Sequence, residues 1–224
     1  LLPNGDNLGI KITYKEQDKP RGLPDAFIIG ENFIGKSNVA LILGDNFFYG
    51  QNLTAKLLSC TKLNNGAKIL LHKVLKPELY GVAKINKNKK ILLIKEKPKK
   101  FVSDFAITGL YFFDNRVVKL AKNLKPSIRG ELEITDLLNK YRNKNKLYAD
   151  FIGRGGVWLD TGSIEDFYKT TIFVSTIENR QGLKIACLEE ISLANNWIKK
   201  DKILKQIKFY GKCDYSNYLK KLIN

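Results

Sequence analysis

The 224-residue chain contains no methionine and a single histidine, His72, and its three cysteines, Cys60, Cys187 and Cys213, stand far apart with no Cys-x-x-Cys spacing. An odd, scattered set of thiols suggests neither a disulfide framework nor a zinc site, and it fits a reducing cytoplasm. One imidazole inside the apolar run Ile69-Leu70-Leu71-His72-Lys73-Val74 makes a poor metal site and reads as structural. Ser163, Ser175 and the cysteines have no base in a recognisable nucleophile setting. No stretch reaches about eighteen uncharged apolar residues, and Leu1-Leu2-Pro3-Asn4-Gly5 lacks the charged and apolar regions of a signal peptide. A cytoplasmic protein without a membrane span is expected.

Acidic residues are also short, 22 against 39 lysines and arginines, which leaves a net charge of +17 and a pI near 9.7. Such a field attracts polyanions without sequence preference. Yet only Arg21, Arg116, Arg129, Arg142, Arg154 and Arg180 are arginines, the residue whose planar fork suits base and phosphate contacts. The lysines are scattered among Asn and Ile, as in residues 84–90, and read as a solvated surface rather than a specific nucleic-acid site. With 44% hydrophobic residues the chain has material for a sizeable core, and its length predicts one domain over 1–224 with a helical carboxyl-terminal region from about 188 to 224.

Runs rich in Ile, Val and Leu alternate with helical stretches, the pattern of a doubly wound α/β sheet. Strands are predicted over 10–14, 39–43, 67–74, 80–85, 91–95 and 106–113, with a hairpin turn at Lys87-Asn88-Lys89 that makes the sheet mixed. Helices are predicted over 23–30, 117–122, 135–144 and 163–179. Ser163 is placed as the N-cap of the last of these, with Asp166 in the acidic position of a capping box. The tail beyond Leu188 reads as amphipathic helix interrupted near Gly211.

Asp45 and Asp160 each follow an apolar run, Val39 to Leu43 and Val157-Trp158-Leu159, so both would project from the carboxyl ends of strands, where open α/β sheets place ligands. Eight segments stand in a telling order: Gly22-Leu23, Leu43-Gly44-Asp45-Asn46, Tyr80-Gly81-Val82, Glu96-Lys97-Pro98, Ile107-Thr108-Gly109-Leu110-Tyr111, Arg129 to Asp136, Trp158 to Gly162, and Glu178 to Gly182. Read together they resemble the sugar-nucleotide pyrophosphorylases, a nucleotidyltransferase family with a Rossmann-like fold. The likeness is strongest to members that join a sugar 1-phosphate to a deoxythymidylyl group. It runs over nearly the whole chain and implies dTTP and glucose 1-phosphate as substrates, Mg²⁺ as cofactor and a homotetramer as assembly.

The resemblance gives Asp45 and Asp160 to the Mg²⁺, Arg129 to the phosphate of the sugar phosphate, and Glu96 to the sugar hydroxyls with Lys97 beside them. It gives Gln17 and Gly22 to the pyrimidine, and Gly81, Ile107, Thr108 and Trp158 to the sugar pocket. Tyr80, Tyr111 and Trp158 also read as packing walls. Arg154, Glu190 and Ile191 would lie at a second, regulatory nucleotide site between subunits. Blander readings stand beside these: an Asx turn at Asp45, a helix cap at Asp160, a surface pair of Arg129 with Glu131 or Glu133, and a solvated Glu96–Lys97 pair.

The family's opening glycine-rich loop, of the form Gly-Gly-x-Gly-Thr-Arg-Leu, has no counterpart here. The chain is therefore expected to enter the family pattern after its first two strand-helix units, and to be poorly stable and catalytically silent by itself. A uridine or cytidine nucleotidyltransferase, a non-catalytic sugar-nucleotide binder and a basic nucleic-acid binder remain as alternative functions.

Overall fold

The computed structural model describes residues 2–224, which fall into two compact units, Lys15–Phe167 and the pairing of Leu1–Tyr14 with Tyr168–Asn224. In the larger unit the chain runs α1 (Asp25–Ile29), α2 (Glu31–Ile34), β1 (Val39–Ile42), β2 (Asn46–Tyr49), α3 (Leu53–Thr61), β3 (Ala67–Lys73), β4 (Val82–Ile85), β5 (Ile91–Lys95) and β6 (Phe105–Phe113). It continues through α4 (Val117–Lys122), α5 (Ile134–Arg142), β7 (Leu147–Phe151), β8 (Val157–Asp160) and the start of α6 (Ile164–Gln181). The smaller unit holds the rest of α6 with α7 (Leu188–Ala194), α8 (Lys200–Tyr210) and α9 (Asp214–Ile223).

Six strands form one mixed sheet in the order β5-β4-β6-β3-β7, with β1 also paired to β6. Strand β6 is the organiser. Eight of its nine residues are buried, because it is covered on both faces and can carry an almost unbroken apolar run. It lies antiparallel to β1, β3 and β4, whereas β3 and β7 are parallel. The α/β class and the mixed sheet expected from the sequence are present, and the hairpin between β4 and β5 closes where Lys89 donates to the Asn86 carbonyl.

Helix α5 shows how pattern becomes packing. Ile134, Leu137, Leu138 and Tyr141 recur at helical spacing, are all buried, and pack with Phe27, Ile69, Leu71 and Phe113 into the main core. Phe27 meets Phe113 edge to face at 5.2 Å. At the start of α6 Ser163 caps the helix as expected: Asp166 N donates to Ser163 Oγ at 3.0 Å, and the Ser163 hydroxyl donates to Asp166 Oδ2 at 2.7 Å.

One predicted strand is corrected. Residues 10–14 form no strand; Ile12 N instead donates to the Asn4 carbonyl, and Gly5 and Gly9 at positive φ turn the chain around a short 3-10 turn. Strands β2 and β7 and helices α2 and α3 are additions that the sequence pattern does not announce. In the smaller unit, Cys187, Ile198, Ile203, Tyr218 and Leu219 make a second core, and Gly211 stops α8 as expected.

Candidate active site

A cleft of about 170 Å³ opens where β1, β4, β5, β6 and β8 end, and Tyr80, Gly81, Glu96, Ile107, Trp158 and Asp160 are among its walls. Strands β2 and β8 pair as a two-stranded ribbon whose register sets Asn46 opposite Asp160, and this brings the two aspartate segments together. Thr161 fastens them, donating from its amide (2.7 Å) and its hydroxyl (2.8 Å) to the Asp45 carbonyl. A methyl group placed on Gly162 would lie 3.2 Å from Asp160 Oδ1 and 3.7 Å from Asp45 Oδ2, so both carboxylates flank one small space. Burial pushes the Asp160 carboxyl up, Asp45 and Asp166 add to the rise, and the Gly162 amide, 3.0 Å from Asp160 Oδ1, opposes it.

Asn46, the last residue of the Leu43-Gly44-Asp45-Asn46 segment and given no role of its own by the sequence, holds this arrangement. Its Nδ2 donates to Asp45 Oδ1 at 2.7 Å, while its Oδ1 accepts from the Gly109 amide at 2.8 Å and from Trp158 Nε1 at 2.6 Å. One side chain at the start of β2 thus ties the Asp45 loop, β6 and β8 together at the cleft. Trp158, buried against Tyr80 edge to face at 5.1 Å, keeps its indole N–H satisfied in this way. His72 sits behind Trp158 at 6.2 Å, its imidazole pushed toward neutrality by burial, as a structural residue would be.

Across the cleft, Glu96 lies half-buried beneath Gly81, whose imagined Cβ would come within 3.1 Å of Glu96 Oε2 and 3.2 Å of Thr135 Cγ2. Burial and the Glu133 charge push the Glu96 carboxyl up, against the pull of Lys97, Arg129 and a hydrogen bond to Thr135. Thr135, buried at the head of α5, is a further site residue that the sequence does not single out. Lys97 follows with φ of +34°, a left-handed backbone that an L side chain adopts only under constraint, and its amide donates to the Tyr80 carbonyl at 3.1 Å.

Arg129 lies beside this wall with its guanidinium spread over Glu133, at 2.7 Å from Nη2 to Oε2 and 3.1 Å from Nε to Oε1. Ser127 Oγ donates to the same Glu133 Oε1 at 2.7 Å. The expected surface pairing therefore exists, and it also points a fork-shaped cation along the segment that borders Glu96. Gln17 and Gly22 form a separate corner. Gly22 has φ of +97° and its Cα presses on the Leu132 backbone, where an added Cβ would lie 2.1 Å from the carbonyl oxygen. Gly22→Ala is expected to cost about 2–4 kcal/mol of stability in denaturant unfolding, since strain and a backbone clash act together.

One expected pocket residue, Thr108, turns away from the cleft, and the three residues expected at a second, regulatory site lie outside the cleft lining. Thr108 is fully buried and donates its hydroxyl to the Leu70 carbonyl at 3.1 Å; strand alternation turns it away from the face where Ile107 and Gly109 border the cleft. Arg154 is exposed in the turn between β7 and β8 of the larger unit, and Glu190 and Ile191 lie on α7 of the smaller one, where Tyr218 donates to Glu190.

The raised carboxyls have a measurable consequence. Glu96 and Asp160 hold their protons to higher pH in the folded protein than in the unfolded chain, so stability falls as pH climbs from the ordinary carboxylate range through the raised values. Glu96→Gln is expected to flatten part of that decline in thermal unfolding from about pH 4 to 7. An undiminished slope would show that Glu96 ionises as freely when folded as when unfolded.

A ligand cleft beside paired carboxylates at strand ends, on a mixed α/β sheet, is the layout of an enzyme that handles phosphate and sugar groups. The nucleotidyl transferase family model matches residues 1–176, and the chain belongs to that family. Among curated relatives, the glucose-1-phosphate thymidylyltransferase of Neisseria meningitidis is 47% identical over 223 residues, covering 100% of this chain and 77% of that protein. The enzyme of the same name from Mycobacterium tuberculosis is 41% identical over the same shares. A Bacillus anthracis protein crystallised with sucrose and assigned as a glucose-1-phosphate thymidylyltransferase superposes with a TM-score of 0.69 at 39% identity, over 76% of this chain and 68% of its own. A UDP-glucose pyrophosphorylase complexed with UDP-glucose, 22% identical with a TM-score of 0.64 over 73% of this chain and 66% of its own, shares the fold.

Proposed function

We propose that the protein transfers a deoxythymidylyl group from dTTP to glucose 1-phosphate, giving dTDP-glucose and pyrophosphate. The convergence of Asp45 and Asp160 beside the cleft that holds Glu96 and Trp158 carries this reading, and thymidylyltransferase relatives at 41–48% identity support it. In the reaction a phosphate oxygen of glucose 1-phosphate attacks the α-phosphorus of dTTP. A P–O bond forms there as the bond to the β-phosphate oxygen breaks, and pyrophosphate leaves with the electron pair. No covalent bond to the protein is required, so positioning and charge neutralisation do the catalysis.

Each residue then has a task. Glu96 accepts hydrogen bonds from neighbouring sugar hydroxyls while Trp158, Ile107 and Gly81 close around the ring. Arg129 offers two parallel donors to the sugar phosphate, and Lys97 adds its charge alongside. Gln17 meets the pyrimidine edge near Gly22. Asp45 and Asp160 would hold one Mg²⁺; the fit is chemical, two hard carboxylates, Asp160 pushed up by burial and further by the Asp45 charge, which leave the remaining coordination to water and phosphate oxygens. Among the described residues there is no cluster of three or more His, Cys, Asp or Glu side chains that could hold a metal ion. Bound there, the ion would neutralise charge on the reacting phosphates. A homotetramer, a cytoplasmic setting and a regulatory nucleotide site at Arg154, Glu190 and Ile191 complete the proposal on the strength of the sequence resemblance; among the described residues no helix is long and apolar enough to cross a membrane.

The test is pyrophosphate release from glucose 1-phosphate with each common nucleoside triphosphate, run on the chain fused to a relative's glycine-rich amino-terminal segment because the chain by itself is expected to be silent. Thymidine and uridine triphosphates are expected to lead. A preference for ATP or GTP would overturn the reading.

A further inference from the structure

Asp25 is a buried carboxylate, 4% exposed, at the start of α1, and one of its oxygens collects two donors. Gln17 Nε2 donates to Oδ2 at 2.8 Å and Arg21 Nε donates to the same oxygen at 3.0 Å. The second hydrogen of the Gln17 amide points to the Gly22 carbonyl at 3.4 Å. A carboxylate only accepts, and so does a carbonyl, so neither partner tolerates the Gln17 oxygen in place of its nitrogen. The amide is therefore held in one of its two orientations. Its Oε1, which accepts no hydrogen bond from the described residues, is the group left for a ligand.

We infer that Asp25 is a positioning residue that fixes the Gln17 amide so that it presents an acceptor, selecting a pyrimidine with an imide N3–H, thymine or uracil, against cytosine. This rests on the proposed role of Gln17 in meeting the base. Thymine and uracil carry a donor at N3; cytosine carries a lone pair there, which would face the lone pairs of Oε1. Cytosine and uracil are the same size, so pocket shape cannot separate them, and a fixed acceptor can. Without Asp25 the amide would turn over and offer its NH₂ to cytosine. Arg21 restrains the carboxylate from its exposed side, and the Gly22–Leu132 contact fixes the carbonyl that receives the other hydrogen.

The experiment compares equilibrium binding of dUTP and dCTP to the full chain and to Asp25→Asn, which keeps the shape of the side chain but can donate as well as accept. The unsubstituted protein is expected to favour dUTP by about 100-fold or more, and Asp25→Asn to narrow that ratio to about tenfold or less by binding dCTP better. A purely structural role would weaken both nucleotides equally and leave the ratio unmoved, and that result would overturn the inference. If the unsubstituted protein shows no preference between the two, Gln17 does not read the base and the inference falls together with the base-reading part of the proposed function. A retained preference that survives Asp25→Asn removes the inference alone. Should Asp25→Asn fail to fold, NMR of the unsubstituted protein decides: the Gln17 side-chain NH₂ is expected to show one proton exchanging slowly with water, and two equally fast protons would overturn the lock.

Discussion

In the chain fused to a relative's glycine-rich amino-terminal segment, replacing Asp160 by asparagine is expected to lower pyrophosphate release about a thousandfold and to leave the thermal midpoint unchanged or slightly raised. Asparagine keeps the shape of the side chain and can still accept from the Gly162 amide, so the turn between β8 and α6 survives. What goes is one negative charge facing Asp45. In the folded protein that charge is disfavoured by burial and by Asp45, so its removal relieves the free structure rather than harming it. Turnover should respond in the opposite direction, because loss of a charged metal ligand forfeits several kcal/mol of transition-state stabilisation, and about 4 kcal/mol corresponds to a thousandfold. Asp45→Asn should behave alike in turnover, although Asn46 would then have to share its amide with another amide. Near-normal turnover in both variants would remove the metal assignment.

The second large effect is expected at Gly109, a residue with no side chain. A methyl group added there would stand 2.4 Å from Asn46 Oδ1, 2.5 Å from Cγ and 2.7 Å from Nδ2, closer than any packed carbon can come. Gly109→Ala must therefore expel Asn46. That breaks its bonds to the Gly109 amide, to Trp158 Nε1 and to Asp45 Oδ1 at one stroke, leaving a buried indole N–H without its partner. A stability loss of about 2–3 kcal/mol and a fall in kcat/KM of about a hundredfold or more are expected, from unfolding curves and steady-state rates. Asn46→Ala should reproduce the catalytic loss with a smaller structural one. If Gly109→Ala kept full activity, Asn46 would have no part in placing Asp45 and Trp158.

Much of this layout is legible in the sequence where pattern and chemistry coincide. Strand β6 announces itself as an apolar run broken only by Thr108 and Gly109, and the stripe on α5 and the Ser163–Asp166 cap give helices with the correct faces and ends. The nearness of Asp45 and Asp160 is expected from the family resemblance more than from the two apolar runs that lead to them, and the β2–β8 register, with Asn46 opposite Asp160, brings the two segments together. Thr108 misleads when its three-residue motif is taken whole, because a strand sends alternate residues to opposite faces; counting outward from Gly109 turns it inward. Residues 10–14 look like a strand by composition, but Gly5 and Gly9 at positive φ bend the chain there. Asn46 and Thr135 lie in segments that carry the resemblance but receive no role, and Asp25 is passed over, because only the fold shows which partners an amide, hydroxyl or carboxylate will find.

The smaller compact unit is assembled from segments at opposite ends of the sequence. Gly9 packs on the Trp197 carbonyl, where a Cβ would lie 2.3 Å away, and Leu8 joins Tyr210 and Tyr215 around a common cavity. Closing such a contact means bringing together the ends of a very long loop, an entropic cost that nothing local offsets until the intervening chain is ordered. Protease sensitivity should reflect this: a single cut after Tyr14 would free residues 2–14 from the α7 to α9 helices, and those helices should then be digested faster than the larger unit, whose core runs from Phe27 to Leu147.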